Sequence, residues 1–262
     1  MNVVLKENII YGSVLGAGLV ADIAYPEDGD SLTALISVHG GRWIRGTRHD
    51  DGREGRGDNG VVEILEWAHA GYFVMRIDYR LVTCTPAPAC FQDVMCSLRW
   101  LHAHAKDFGV DPSRIFIMGQ SAGGHMAALA ATLGPGGFPP SGGWEAHSSD
   151  FAAAICVAGA YDLCTLDWGS GWCPPGQPWD EARRFASPQS HISTRTRPIL
   201  LFHAADDHSV PIAQADTFSQ ALTQAGVRHR YHRYDTGGHL KITAEVRERS
   251  RAFIREIAEQ SK

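Results

Sequence analysis

Gly119-Gln120-Ser121-Ala122-Gly123 sets a serine between glycines at the junction of two unlike stretches. Before it, Arg114 to Met118 is a short, bulky, β-branched run of the kind that forms a buried strand. After it, Ala122 to Leu133 is Ala-rich with apolar residues at helical spacing, and Gly134-Pro135 stops it. A serine on such a strand-to-helix turn is lifted clear of the sheet, and the glycines are needed where backbone crowds backbone. The following helix aims free N–H groups at any anion that forms there. A hydroxyl is a weak nucleophile until a base takes its proton, and the base must be held in one tautomer by an acid. Both are supplied downstream. Ile199 to His203 reads as a strand followed by Asp206-Asp207, and His229 to Tyr234 reads as a strand followed by Gly237-Gly238-His239.

Attack on a carbonyl carbon also needs donors for the developing oxyanion. His39-Gly40-Gly41-Arg42-Trp43 follows the strand-like Ala34 to Val38, and its Gly41 and Arg42 amides are the expected loop donors. The Ala122 amide, next to the serine, is the third. Each piece has a bland reading as well: Ser121 as a helix cap, Asp206 as a turn cap, His239 as an ordinary loop residue, Gly40-Gly41 as a plain turn.

The elements that must position these groups alternate between the two periodicities. Strands are expected at 20–24, 34–38, 72–77, 115–118, 153–157, 199–203 and 229–234. Helices are expected at 60–70, 89–106, 122–133, 213–225 and 244–259, and the second carries Val94, Leu98, Leu101 and Ala105 on one stripe. That alternation with short connections predicts a mostly parallel sheet covered on both faces. At 262 residues one such domain is sufficient for residues 1–262. Two Gly-, Pro- and Trp-rich stretches near 134–149 and 166–187 break the rhythm and are expected as small cap insertions roofing a pocket at the carboxyl edge of the sheet.

Taken together these pieces resemble the α/β-hydrolase superfamily, and within it the hormone-sensitive-lipase-like and the acetyl-xylan and feruloyl esterase-like groups. The resemblance rests on His39-Gly40-Gly41-Arg42-Trp43, Asp78-Tyr79-Arg80-Leu81, Asp93 with Arg99-Trp100-Leu101, and Gly119 to His125. Tyr161-Asp162-Leu163, Asp207 to Pro211 and Gly238-His239 complete it, so it spans about residues 34–240. It implies an α/β-hydrolase fold and a serine carboxylesterase with Ser121 as nucleophile, Asp207 as acid and His239 as base. Asp207 is preferred to Asp206 for its spacing to Val210-Pro211. The resemblance also implies that no metal or organic cofactor is needed. Arg42 stands where many relatives carry a third glycine, which adds a charge beside the oxyanion loop. The same residues serve amide hydrolases such as aryl formamidases or small serine peptidases; a catalytically inactive ligand-binding protein of this fold is the alternative from another class, and the intact His239 argues against it.

The resemblance implies a small-molecule ester as the partner, and composition points to no other. A formal charge of −5 gives no electrostatic reason to bind nucleic acid or an anionic membrane. No apolar run reaches membrane-spanning length and the start carries Lys6 and Glu7, so a cytoplasmic location is the expectation. Oligomeric state is left open. Six cysteines without metal-ligand spacing are expected as free thiols, with Cys164 and Cys173 the pair to check for a disulfide. His102/His104 and His229/His232 lack a third ligand, so no metal site is expected. Trp43, Trp144, Trp168, Trp172 and Trp179 lie in the oxyanion loop or the insertions and are candidates to stack on a sugar or aromatic acyl ring, with loop packing as the bland alternative. Arg42, Arg45, Arg48, Arg53 and Arg56, interleaved with Asp50, Asp51, Glu54 and Asp58, read first as a solvated surface run.

Overall fold

The computed structural model describes residues 2–53, 57–58 and 60–260; Glu54 and Arg56 of the charged run lie outside the described residues. Strands β1 (Val3–Val14), β2 (Ala17–Pro26) and β3 (Leu32–Val38) lead into helix α1 (Ile64–His69) and strand β4 (Tyr72–Ile77). Helix α2 (Ala89–His104), strand β5 (Val110–Gln120), helix α3 (Ala122–Leu133) and strand β6 (Ala153–Val157) follow. The chain continues through α4 (Trp179–Phe185), β7 (Ile199–Ala204), α5 (Ala213–Gln224), β8 (His229–Tyr234) and α6 (Ala244–Glu259). The strands form one sheet in the order β1-β2-β4-β3-β5-β6-β7-β8. The first two pairings are antiparallel and the remaining five parallel.

Central strands β3 to β7 are buried on both faces, which is why they read as nearly continuous apolar runs. Their alternate residues feed two cores. Ala34, Ile36 and Val38 pack with α2, α3 and α5, whereas Leu35, Val74 and Phe116 pack with α1 and α6. Helices α3 and α6 fall at the expected bounds. Helix α1 is shorter than 60–70, because Gly60 has φ of 74° and Glu63 caps the helix, its carboxylate accepting from the Leu65 and Glu66 amides.

Two elements carry no sequence expectation. Strand β1 is an edge hairpin partner of β2 with a polar, half-exposed pattern and irregular register, and α4 lies inside the second insertion. The first insertion corrects the expectation of a roof. Its Gly142 carbonyl accepts from the Ser13 amide, and its Gly143 and Ser141 carbonyls accept from Arg99 of α2. It therefore lies along α2 and β1. Among the described residues no helix is long and apolar enough to cross a membrane.

Candidate active site

Parallel register brings the ends of five strands to one edge. Val38 is level with Gly119, Gln120 with Val157, Val157 with Phe202, and Ala204 with Tyr234. The residues just past these ends include His39, Ser121, Asp207 and His239, so the candidate groups share the carboxyl edge of the sheet, where open α/β sheets bind ligands.

Ser121 sits between β5 and α3 with φ 54° and ψ −118°, a strained backbone for a residue with a side chain. The turn is clamped from within. A Cβ on Gly119 would come 2.3 Å from the Gly123 carbonyl carbon, and one on Gly123 would come 2.1 Å from the Val38 carbonyl oxygen. The second contact presses the start of α3 against the end of β3, and so against the loop that begins at His39. The Ser121 amide donates to the Val157 carbonyl at 2.8 Å, which anchors the turn to β6.

The loop after β3 holds three consecutive residues at positive φ: Gly41 at 99°, Arg42 at 55° and Trp43 at 62°. Its Gly41 carbonyl turns inward to accept from the Ile44 and Arg45 amides. The amides of Gly41 and Arg42 donate to no group among the described residues. From below, the Tyr79 hydroxyl, at 3.1 Å from each, bridges the His39 and Gly40 carbonyls, and the His39 ring stacks on Tyr79 at 4.0 Å. Burial pushes the His39 imidazole below its ordinary value, so it acts as a neutral strut.

On the far side of the sheet edge, Asp207 Oδ2 lies 2.8 Å from His239 Nδ1, and Asp207 Oδ1 accepts from the Ser209 and Val210 amides at 2.8 and 2.9 Å. Burial raises the Asp207 carboxyl, but bonds from His203, His239 and the Val210 amide outweigh it and hold the group well below the usual carboxylate range. An ionised carboxylate only accepts, so His239 carries its proton on Nδ1 and leaves Nε2 as an acceptor. Asp206 faces elsewhere: its Oδ1 accepts from the Gly238 amide at 2.7 Å and shapes the turn before His239. No hydrogen bond joins Ser121 Oγ to His239 Nε2 among the described residues, a contact that commonly tightens only around bound substrate.

Three residues take supporting roles for which the sequence carries no expectation. Gln120 Nε2 donates to the Leu240 carbonyl at 3.2 Å. His203, fully buried, places Nε2 2.8 Å from the Val210 carbonyl and 3.4 Å from Asp207 Oδ2. His125 Nε2 is 2.7 Å from the Ala186 carbonyl, which ties α3 to the second insertion. Gly-Gly-His after the serine was visible, but nothing local marked His125 as a brace.

The tryptophans divide, and most of the stacking expectation needs correcting. Trp43 and Trp172 are fully buried, packed edge to face at 5.6 Å with His125 5.0 Å from both. They form loop core and offer no open ring face. Trp144 is corrected too, since its Nε1 donates to the Tyr11 carbonyl and its ring meets His104, on the α2 side. Trp179 is exposed on α4, with Arg183 over its ring. Trp168 is half-buried at the site, donating from Nε1 to the Ser209 carbonyl at 3.0 Å with the Arg42 guanidinium over its ring. The second insertion thus contacts both the loop after β3 and the Asp207 loop.

The charged run is also corrected in part. Arg48 pairs with Asp22 and Asp78, and Arg76 of β4 with Asp22 and Asp51, in a buried network joining β2, β4 and the loop after β3. The expected solvated run is, at Arg48 and Asp51, an internal fastening whose partners lie far off in sequence, while Asp50, also buried, accepts from the amide and hydroxyl of Thr47. All six cysteines are free, Cys164 and Cys173 included. One group of metal-capable side chains, Glu7, Asp22 and His49, lies within the described residues, but Arg48 and Arg76 already occupy Asp22.

A mostly parallel sheet sandwiched by helices, with a serine elbow after β5, defines the α/β-hydrolase fold. A carbohydrate esterase from gut microbiota, solved in truncated form, superposes with a TM-score of 0.82 over 98% of this chain and 96% of that one, at 21% identity. Thermogutta terrifontis esterase 2, solved phosphoramylated by tabun, gives 0.78 over 96% and 94%, at 25% identity. The chain belongs to the BD-FAE family, whose model matches residues 21–222. It is 31% identical over 204 residues to a probable carboxylic ester hydrolase of Mycobacterium tuberculosis, LipM, covering 72% of this chain and 44% of LipM. It is 26% identical to the probable isoprenylcysteine alpha-carbonyl methylesterase ICMEL1 of Arabidopsis thaliana, over 91% of this chain and 51% of that one. The chain thus spans about half the length of these two relatives.

Proposed function

We propose that the protein is a serine carboxylesterase of small to medium esters, with Ser121, His239 and Asp207 as its triad. The observation that carries this reading is the His239–Asp207 pair at 2.8 Å, on the same sheet edge as a strained serine elbow and a loop with two unengaged amides. Ser121 Oγ attacks the acyl carbon while its proton passes to His239 Nε2, and Asp207 stabilises the imidazolium. The amides of Gly41, Arg42 and Ala122 receive the oxyanion. Collapse expels the alcohol, protonated by His239. A water deprotonated by the same nitrogen then attacks the acyl-enzyme and releases the acid. No step calls for a metal or cofactor.

The esterase names of the relatives and the carbohydrate esterase among the similar folds support an acylated small molecule as substrate, with acyl sugars in the first panel. The second insertion acts as a small cap on a single domain. Free thiols at all six cysteines support a reducing, cytoplasmic setting. The test is hydrolysis of short-chain aryl esters by the wild type and Ser121→Ala, with aryl formamides alongside. Ester turnover lost in the variant is the expected result. Wild-type turnover in the variant overturns the assignment, and a preference for the formamides replaces ester by amide.

A further inference from the structure

Arg42 contributes two separate things to the site. Its amide belongs to the oxyanion loop, while its exposed side chain leaves that loop and lies over Trp168, 5.3 Å from guanidinium carbon to ring centroid. Trp168 is itself fixed, because its Nε1 bonds the Ser209 carbonyl two residues beyond Asp207 and its ring lies 5.5 Å from Trp43. The guanidinium is therefore held at the rim between the oxyanion loop and the acid loop. It is also uncommitted. Arg48, Arg53 and Arg76 are each paired to carboxylates, whereas Arg42 has no carboxylate partner among the described residues. A guanidinium stacked on an indole keeps its planar fork of N–H donors pointing outward, suited to a carboxylate. A preorganised, unpaired cation on a chain of net charge −5 is a local feature that calls for an anionic partner.

We propose that Arg42, seated on Trp168, is a specificity residue for esters that carry a carboxylate close to the scissile bond, in the acid half (a dicarboxylic half-ester) or in the alcohol half (an acylated uronic acid). This rests on the esterase reading above and adds the charge of the substrate to it.

The test compares matched substrates that differ only in charge. For the acid half, a monoaryl adipate is set against its methyl-capped aryl adipate; for the alcohol half, acetylated glucuronic acid against acetylated glucose. The readout is the ratio of kcat/KM, anionic over neutral, in the wild type, Arg42→Gln and Arg42→Lys. Arg42→Gln is expected to lower that ratio about 3- to 10-fold for one pair, mainly through KM, with Arg42→Lys retaining part of it. The wild-type preference should shrink as salt rises, while a neutral substrate is insensitive. The pair that responds identifies which half carries the charge. A ratio within twofold of wild type in Arg42→Gln for both pairs, with the neutral esters still turned over, overturns the inference and leaves the esterase reading intact. A wild type that hydrolyses none of the four overturns both.

Discussion

Gln120 and Leu240, the chain neighbours of the candidate nucleophile and base, are bonded to each other through Gln120 Nε2 and the Leu240 carbonyl at 3.2 Å. That bond ties the end of β5 to the loop after β8 from inside the protein, where both groups are buried. It sets how far His239 can stray from Ser121 without contributing any chemistry. Gln120→Leu leaves the carbonyl without its partner and is expected to cost about 1–3 kcal/mol of stability. It should also lower kcat about 10- to 100-fold with little change in KM, because the geometry of the base is what is lost. Urea unfolding and steady-state kinetics check the two effects. A variant destabilised yet equal to wild type in kcat would show the tether to be structural only.

The adjacent carboxylates Asp206 and Asp207 perform different work despite a one-residue separation. Asp207 holds the imidazole, whereas Asp206 holds the Gly238 amide. Asp207→Asn leaves an amide that can present a donor to His239 Nδ1, inverting the tautomer, and is expected to lower kcat about 10³- to 10⁴-fold. Asp206→Asn keeps an acceptor for Gly238 and should stay within about 10-fold of wild type. The two variants assayed side by side on one aryl ester decide the matter; equal losses would mean that the acid role is not Asp207's alone.

Asp22, Arg48, Arg76, Asp51 and Asp78 form a charge network whose reach extends to the oxyanion loop. Arg48 grips Asp78, and the next residue, Tyr79, carries the hydroxyl that bridges the His39 and Gly40 carbonyls. Arg76→Met removes one cation from Asp22 and Asp51, whose side chains are both fully buried. Removing one partner from a buried ion pair costs about 3–5 kcal/mol. The expected readout is a large loss in denaturant midpoint that added salt does little to mimic in the wild type, since buried pairs are poorly screened. A loss under about 1 kcal/mol would place this network among ordinary surface pairs.

What was legible in the chain follows from the range of the forces involved. Helix α3 was placed at its bounds because glycine and proline end it locally, and β4 and β6 because burial on both faces leaves nearly unbroken apolar runs. Order along the chain singled out Ser121, Asp207 and His239, and the structure sets the last two in contact. Strand β1 escaped because its alternation is spoiled by Lys6, Glu7 and Asn8 at an irregular edge. Arg48 and Arg76 escaped for a different reason: their partners are 25 to 54 residues away, and a charge next to other charges reads as solvated until its distant counterion is known. Trp43 and Trp168 show the same limit, since only tertiary packing decides which indole is covered and which faces the rim.

His125 is the residue whose titration should be felt by the whole fold. It is buried beside Trp43 and Trp172, and that burial pushes its imidazole down to about 4 against the Ala186 carbonyl, which pulls the other way. In the unfolded chain the same group titrates near its ordinary value of about 6.5. Between those two values the unfolded state binds a proton that the folded state refuses. Stability is therefore full above about 6.5, falls as pH drops towards about 4, and loses nothing further from this group below that. The difference corresponds to about 3 kcal/mol. His125→Gln keeps an amide donor for the Ala186 carbonyl but cannot titrate. It should be less stable than wild type at pH 7.5, because the packing against the indoles is poorer, and should close most of that gap, or reverse it, by pH 4.5. Urea unfolding of both proteins at the two pH values measures this directly, and parallel pH dependences would show that His125 is not the group that takes up the proton.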